Sequence, residues 1–227
     1  MPPRAKPRRL PAQPHLKLEK ALWKDGYKFV AGLDEVGRGA WAGPVVAAAV
    51  VLPSDLRTLR SALVGVTDSK KLSPARREAL FPRVQEVALA IGLGGAGPAE
   101  VDSTGLIAAT CFAMERAIAS LALYPDYLLI DAVDLHSTVD LPQQAMYFGD
   151  SISLSIAAAS IIAKVSRDRL MVEMDGRIPD YGFARHKGYG TAVHQRALDR
   201  LGPCETHRKS YRPVAAHITA QVRVEHA

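Results

Sequence analysis

Eight consecutive apolar residues, Val45 to Leu52, leave little freedom in how this chain can fold. The run is far too short to span a bilayer as a helix, which takes about 20 residues. Neither face carries a polar side chain, so as a strand it has to be covered on both sides. Gly43 to Leu52 is therefore expected to be a central strand of a layered α/β sheet. Tyr27 to Asp34 reads as the strand before it, and the short link between the two predicts a hairpin.

Further strands are expected at Val87 to Leu93, Asp126 to Ile130 and Ala145 to Phe148, giving a mixed sheet of about five strands. Ser73-Pro74 opens a helix that should run to Gln85, with Ser as its cap and Pro at its first position. Val101 to Leu121 carries an apolar stripe at helical spacing. Ser153 caps a long helix over Leu154 to Met174, where Ala157, Ala158, Ala159 and Ala163 permit close packing. On another face of it lie Ser160, Lys164, Arg167 and Asp168, a set suited either to phosphates or to plain solvation. Thr191 to Leu201 reads as a short helix closed by Gly202-Pro203; the residues after the basic stretch His207 to Pro213 have only weak helical character. Met1 to Pro14 holds five prolines and no hydrophobic period, so residues 1–17 are expected to be a disordered basic arm ahead of one domain over 18–227.

Gly92-Leu-Gly94-Gly-Ala-Gly97 matches a dinucleotide-binding fingerprint in letters. That motif needs an acid ending a second strand about 20 residues on. Here the distance lands near Glu115, inside a helix, so a glycine-rich strand end is the better reading.

Charge is unevenly placed. Residues 1–20 carry six Lys/Arg against one acid, residues 21–160 eleven against fifteen, and residues 161–227 twelve against seven. An acidic middle between basic ends suits a carboxylate site flanked by phosphate-binding surfaces. There is no apolar stretch behind the basic N-terminus of the kind a signal peptide needs. Cys111 and Cys204 lack metal-ligand spacing, which fits a reducing, cytoplasmic setting.

Four acids stand at the ends of these elements: Asp34, Glu35, Asp131 and Asp150. Each has a plain alternative, as a turn start, a helix cap or a solvated strand end. Taken together they form an oxygen-only donor set, which favours a hard cation such as Mg²⁺ or Mn²⁺. Three or four carboxylates suit a two-metal phosphodiester site. A regular strand would send Asp34 and Glu35 to opposite faces. Either the strand ends or bulges there, or Glu35 contributes partly through its carbonyl. Tyr181 to Gly190 mixes aromatics, cations and glycines in a loop that can stack on sugars or bases.

These residues resemble the ribonuclease HII family, the type 2 ribonucleases H. The matching stretches are Gly32-Leu-Asp-Glu-Val-Gly-Arg-Gly39, Ala42 to Ala49, Asp68-Ser-Lys-Lys-Leu-Ser73, Asp131, Gly149-Asp150, Ile156 to Asp168 and His186-Lys-Gly-Tyr-Gly190, in the family's order. The resemblance covers residues 27–213 and implies a ribonuclease H-like fold with a helical C-terminal part. It implies endonucleolytic cleavage of RNA in RNA–DNA hybrids and at single ribonucleotides in duplex DNA, leaving 3′-hydroxyl and 5′-phosphate ends. Asp34, Glu35, Asp131 and Asp150 would then be the catalytic metal ligands. Gly37, Arg38 and Gly39 would read the ribose 2′-hydroxyl, and Tyr189 would stack on the following deoxyribose. Lys70, Ser160 and Lys164 are candidates for phosphate contact. Two Mg²⁺ or Mn²⁺ ions, a monomeric state and no membrane association go with this reading. Gly37-Arg38-Gly39 fits this type better than its sister type HIII, whereas Ala40-Trp41 departs from the smaller pair usual beside the clamp. The competing readings are a non-catalytic nucleic-acid-binding protein on the same fold and a dinucleotide enzyme using Gly92 to Gly97.

Overall fold

The computed structural model describes residues 10–55, 59 and 61–225. Their contacts gather into two compact units where the sequence suggests one domain. The first comprises Met1–Val36, Val46–Gly95 and Cys111–Val165; the second comprises Gly37–Val45, Ala96–Thr110 and Ser166–Ala227.

The first unit is built on a five-stranded mixed sheet of β1 (Val30–Val36), β2 (Val45–Val51), β3 (Ala90–Ala96), β4 (Tyr127–Asp131) and β5 (Gln143–Met146). The strand order is β3-β2-β1-β4-β5. As the apolar run requires, every residue of β2 is buried. β1 pairs antiparallel with β2 and parallel with β4, and β4 pairs parallel with β5. Hence β1, β4 and β5 all end at one edge of the sheet. Such a carboxyl edge is where open α/β sheets build their sites.

Helix α1 (Lys17–Lys24) is followed along the chain by α2 (Pro74–Val87), α3 (Pro98–Thr104), α4 (Leu106–Ala119) and α5 (Leu154–Arg177). The N-terminal half of α5 lies in the main apolar core, where Ala157, Ala158, Ile161 and Ile162 cluster with Ala48 and Val50 of β2 and with Leu52 just beyond it. The expected single helix over 101–121 is instead two. Gly105, at φ +84°, turns the chain between α3 and α4 in a conformation open to glycine.

The glycines of β3 have a packing purpose. A Cβ on Gly92 would lie 2.0 Å from the Ala117 carbonyl oxygen, and one on Gly94 would lie 2.1 Å from that of Ala113. They let α4 lie directly on the strand, so β3 continues through them to Ala96.

Two expectations for the chain ends need correction. The arm was taken to residue 17, but His15 is already tied in: its N–H donates to the Ile152 carbonyl at 3.0 Å, and the His15 carbonyl accepts from Leu154 N–H at 3.3 Å. Glu19 of α1 is fully buried and accepts from Ser153 Oγ, Ser155 N–H and Ser155 Oγ, at 2.6, 3.0 and 2.8 Å. A carboxylate at the start of α5 complements the helix's free N–H groups, a stronger cap than Ser153 alone. The disorder expected of the first nine residues lies outside the described residues. At the other end, α7 (Arg212–Glu225) is a regular helix of 14 residues following α6 (Ala192–Leu201). Among the described residues no helix is long and apolar enough to cross a membrane.

Candidate active site

In the first unit the sheet edge gathers the acids. Asp34 lies on β1, one position beyond the Leu33–Ile130 pair, and Asp131 ends the neighbouring β4. Asp131 pairs in register with Met146 of β5. After Met146 the chain turns through Phe148, at φ +61°, into a single helical turn, Gly149–Ile152, that carries Asp150. Asp131 fixes that turn by accepting the Gly149 N–H at 2.7 Å.

Gly32 sets the depth of the site. A Cβ there would lie 2.2 Å from the Ser155 carbonyl carbon, so only glycine lets β1 touch the backbone of α5. That close approach brings Ser160 within hydrogen-bonding reach of Asp34. The Ser160 hydroxyl also lies 2.9 Å from Ser69 Oγ, and the residue is only 3% exposed. Ser160, expected to meet phosphate, instead supports Asp34 and the 68–71 loop from beneath.

Mutual repulsion marks this as one electrostatic site. Asp34 is 2% exposed; burial, then Glu35, Asp131 and Asp150, hold its carboxyl well above the usual range. Asp131 is pushed up to about 6, chiefly by burial and then by Glu35. Asp150 is pushed up to about 6 by burial, then by Asp131 and Asp68. Lys70, on the 3-10 turn Ser69–Lys71, is the compensating cation. Burial lowers its ammonium, but Asp34, Asp150, Asp68 and Asp131 outweigh that and raise it overall. Lys164 is half-buried on α5.

The question left open at Glu35 narrows. β1 stays in regular register with β2 through Glu35–Ala47 and Val36–Val46, with neither an end nor a bulge. Asp34 and Glu35 therefore alternate along a regular strand, yet Glu35 is the strongest neighbouring charge on both Asp34 and Asp131, so its carboxylate stays close to the cluster. Asp68 was passed over as part of a polar loop. It hydrogen-bonds Asp150 and presses on Asp131, a fifth acid of the cluster. Its spacing from the others, 34 positions from Asp34 and 63 from Asp131, carries no local signal.

The oxygen-only set fits a hard divalent cation, since charge brought between such carboxylates would remove the repulsion that now raises them. Among the described residues no three His, Cys, Asp or Glu side chains are already drawn into a ligand shell. Asp34 Oδ1 and Asp131 Oδ1 accept instead from the N–H groups of Glu35 and Gly149, both at 2.7 Å.

The second unit holds Gly37, Arg38, Gly39 and Tyr189 together. Gly37, at φ +91°, starts a turn closed by Ala40 N–H on its carbonyl at 3.2 Å. Ala40 then bridges Tyr189 in antiparallel fashion, and Trp41 N–H donates to the Gly188 carbonyl at 2.8 Å. The departure at Trp41 is accommodated: a Cβ on Gly190 would lie 2.1 Å from the indole, which also packs on His194 at 5.3 Å between ring centres.

Two arginines are fully buried here, Arg208 of the basic stretch and Arg167. Arg208 donates through Nε and Nη2 to the Gly43 carbonyl, at 3.1 and 2.9 Å, and through Nη1 to the Arg38 carbonyl at 2.8 Å. Tyr211 closes the same carbonyl with a hydroxyl that donates to it. Arg167, read as facing phosphate or solvent, donates to the carbonyls of Pro44, Lys187 and Ala42 at 2.8, 2.9 and 3.2 Å. Burial pulls its guanidinium down to about 10.

Three buried histidines were also missed as a group. Carbonyl and amide partners fix their tautomers. Cys204 N–H donates to His207 Nδ1 at 3.0 Å, His207 Nε2–H donates to His194 Nε2 at 3.0 Å, and His194 Nδ1–H donates to the Tyr189 carbonyl at 3.1 Å. His186 donates from Nε2 to the Tyr181 carbonyl at 2.8 Å and accepts the Gly188 N–H at 3.2 Å. Burial pushes His194 and His207 down to about 4.

Comparison with known proteins agrees with this architecture. A sequence profile described as ribonuclease HII matches residues 31–214. The ribonuclease HII of Geotalea uraniireducens is 48% identical over 91% of this chain and 93% of its own length. That of Syntrophotalea carbinolica is 51% identical over 89% and 94%. The crystal structure of ribonuclease H2 from Pyrococcus horikoshii superposes with a TM-score of 0.70 at 25% identity, over 85% of this chain and 98% of that one. The fold is thus ribonuclease H-like, and the chain belongs to the ribonuclease HII family of metal-dependent endonucleases with ribonuclease H activity.

Proposed function

We propose that this chain cleaves RNA in RNA–DNA hybrids and also cuts on the 5′ side of single ribonucleotides at RNA–DNA junctions in duplex DNA. The attacking water forms a bond to phosphorus, and the bond from phosphorus to the 3′-oxygen breaks, leaving 3′-hydroxyl and 5′-phosphate ends. The observation that carries this reading is the gathering of Asp34, Asp131 and Asp150 at one sheet edge beside Glu35, where burial first and the neighbouring acids second raise those three carboxyls. These four residues hold Mg²⁺ or Mn²⁺ in this account, two ions at once. The chemistry such ions supply when bound is activation of the attacking water and neutralisation of charge on the leaving oxygen. Asp131 keeps Asp150 in place through the Gly149 N–H. Lys70, exposed and drawn to the acids, meets the phosphate oxygens, and Lys164 supplies further positive charge.

Gly37, Arg38 and Gly39 read the 2′-hydroxyl through backbone atoms. Only that group separates RNA from DNA at one position. A rigid backbone partner left unpaired by its absence is costly, which makes selection strong. Tyr189 stacks on the deoxyribose that follows. The protein acts as a cytoplasmic monomer in removing ribonucleotides from DNA.

Replacing Tyr189 with Ala tests the junction part of the reading. We expect cleavage at a single embedded ribonucleotide to fall at least tenfold further than cleavage of a long hybrid, measured as kcat/KM. Equal losses on both substrates would remove the tyrosine from junction selection.

A further inference from the structure

Arg167 has no part in the function proposed so far, yet it is a fully buried cation that donates to three main-chain carbonyls. Two of those carbonyls, Ala42 and Pro44, belong to the segment that continues from Gly37-Arg38-Gly39. The third, Lys187, lies two residues before Tyr189. The guanidinium carbon sits 5.4 Å from the centre of the Tyr189 ring, within cation–π range. Gly37 lies against the same group, since a Cβ there would come within 2.2 Å of Arg167 Nε. One planar side chain thus meets the turn, the segment after it and the tyrosine loop.

We propose that Arg167 is a positioning residue for junction selection: its guanidinium sets the distance and tilt of the Tyr189 ring relative to the Gly37–Gly39 turn. This rests on the reading of Tyr189 and the turn given above. The physical case is that burying a guanidinium is costly unless its donors are met. Its donors lie in one plane with a fixed fork, so the carbonyls that satisfy it are held in one mutual geometry. A flexible ammonium cannot hold three carbonyls and a ring face in that geometry. Arg208 is the internal control. It is equally buried, but the carbonyls it donates to, those of Gly43 and Arg38, are both on the turn side.

The test compares Arg167→Lys and Arg208→Lys on two substrates, a duplex with one embedded ribonucleotide and a long hybrid. We expect Arg167→Lys to reduce kcat/KM on the single-ribonucleotide duplex at least tenfold more than on the hybrid, and Arg208→Lys to reduce both alike. In a Tyr189→Ala background, Arg167→Lys should add less than a threefold further loss of junction preference, because the two act as one unit. Equal loss on both substrates, or losses that multiply independently in the double variant, would overturn the proposal while leaving Tyr189 its role. If Tyr189→Ala itself spares the preference, both readings fall. A measurement that needs no Arg167 variant guards against misfolding: the Arg167 Nε–H resonance should move in Tyr189→Leu and on adding the single-ribonucleotide duplex to the unmodified protein. A resonance indifferent to both would equally overturn it.

Discussion

Asp131 and Asp150 show most plainly how function works against stability at single residues. Each is pushed up to about 6 from an ordinary 3.8, so between those values the folded state holds protons that the unfolded state has released. Their contribution to stability is therefore lost as pH rises through about 6, and at neutral pH their charge is a standing cost. Asp131→Asn keeps a carbonyl oxygen for the Gly149 N–H and removes the charge. Without divalent metal at pH 7.5 it should raise stability by roughly 1–3 kcal/mol, a few degrees in thermal midpoint, while activity is lost. At pH 4.5 the gain should shrink toward zero. A calorimetric scan at both pH values decides this, and a variant less stable than the parent at pH 7.5 would count against the repulsion described here. The four acids stood out in the sequence because each borders an apolar stretch or a helix start, places where a sequence pattern changes. Asp68 was not, because it sits in a loop that only tertiary folding brings to Asp150.

At the scale of elements, the strands could be read because each apolar stretch reports its own covering. β2, buried along its whole length, was the clearest case. The register of β1 could not be read, since the choice between a bulge and a regular edge depends on its partner strand. The supports of the 187–190 loop were equally hidden. Arg167 and Arg208 bind carbonyls up to 125 and 170 positions away, and a cation satisfied by backbone looks in sequence like any surface cation. The relay from Cys204 through His207 and His194 to Tyr189 makes a prediction of opposite pH sign. Both imidazoles sit at about 4, below the ordinary 6.5, so the unfolded state takes up protons first as pH falls. The relay's stabilisation is complete above about pH 6.5 and is lost toward pH 4, on the order of a few kcal/mol. His207→Gln keeps a donor for His194 but does not titrate. Its thermal midpoint should fall less steeply than that of the parent between pH 6.5 and 4.5; parallel curves would contradict the relay.

Across the whole molecule, the acids belong to the first unit and the residues assigned to reading the ribose and the junction belong to the second. Along the sequence only Val36 separates Glu35 from Gly37. The charge layout visible in the sequence, acidic in the middle and basic toward both ends, matches a molecule that concentrates carboxylates at one sheet edge and meets a polyanion elsewhere. The division into two units was not legible, because each is assembled from three separated stretches and no linker composition marks the joins. The central claim is that the acid edge performs hydrolysis at a ribonucleotide. It is tested most directly by cleavage of a duplex carrying one embedded ribonucleotide, with and without Mg²⁺ or Mn²⁺, by the parent and by Asp34→Asn. The account predicts metal-dependent cutting 5′ of the ribonucleotide with 3′-hydroxyl and 5′-phosphate ends, and a loss of at least a thousandfold in Asp34→Asn with duplex binding retained. Full activity in Asp34→Asn would contradict it.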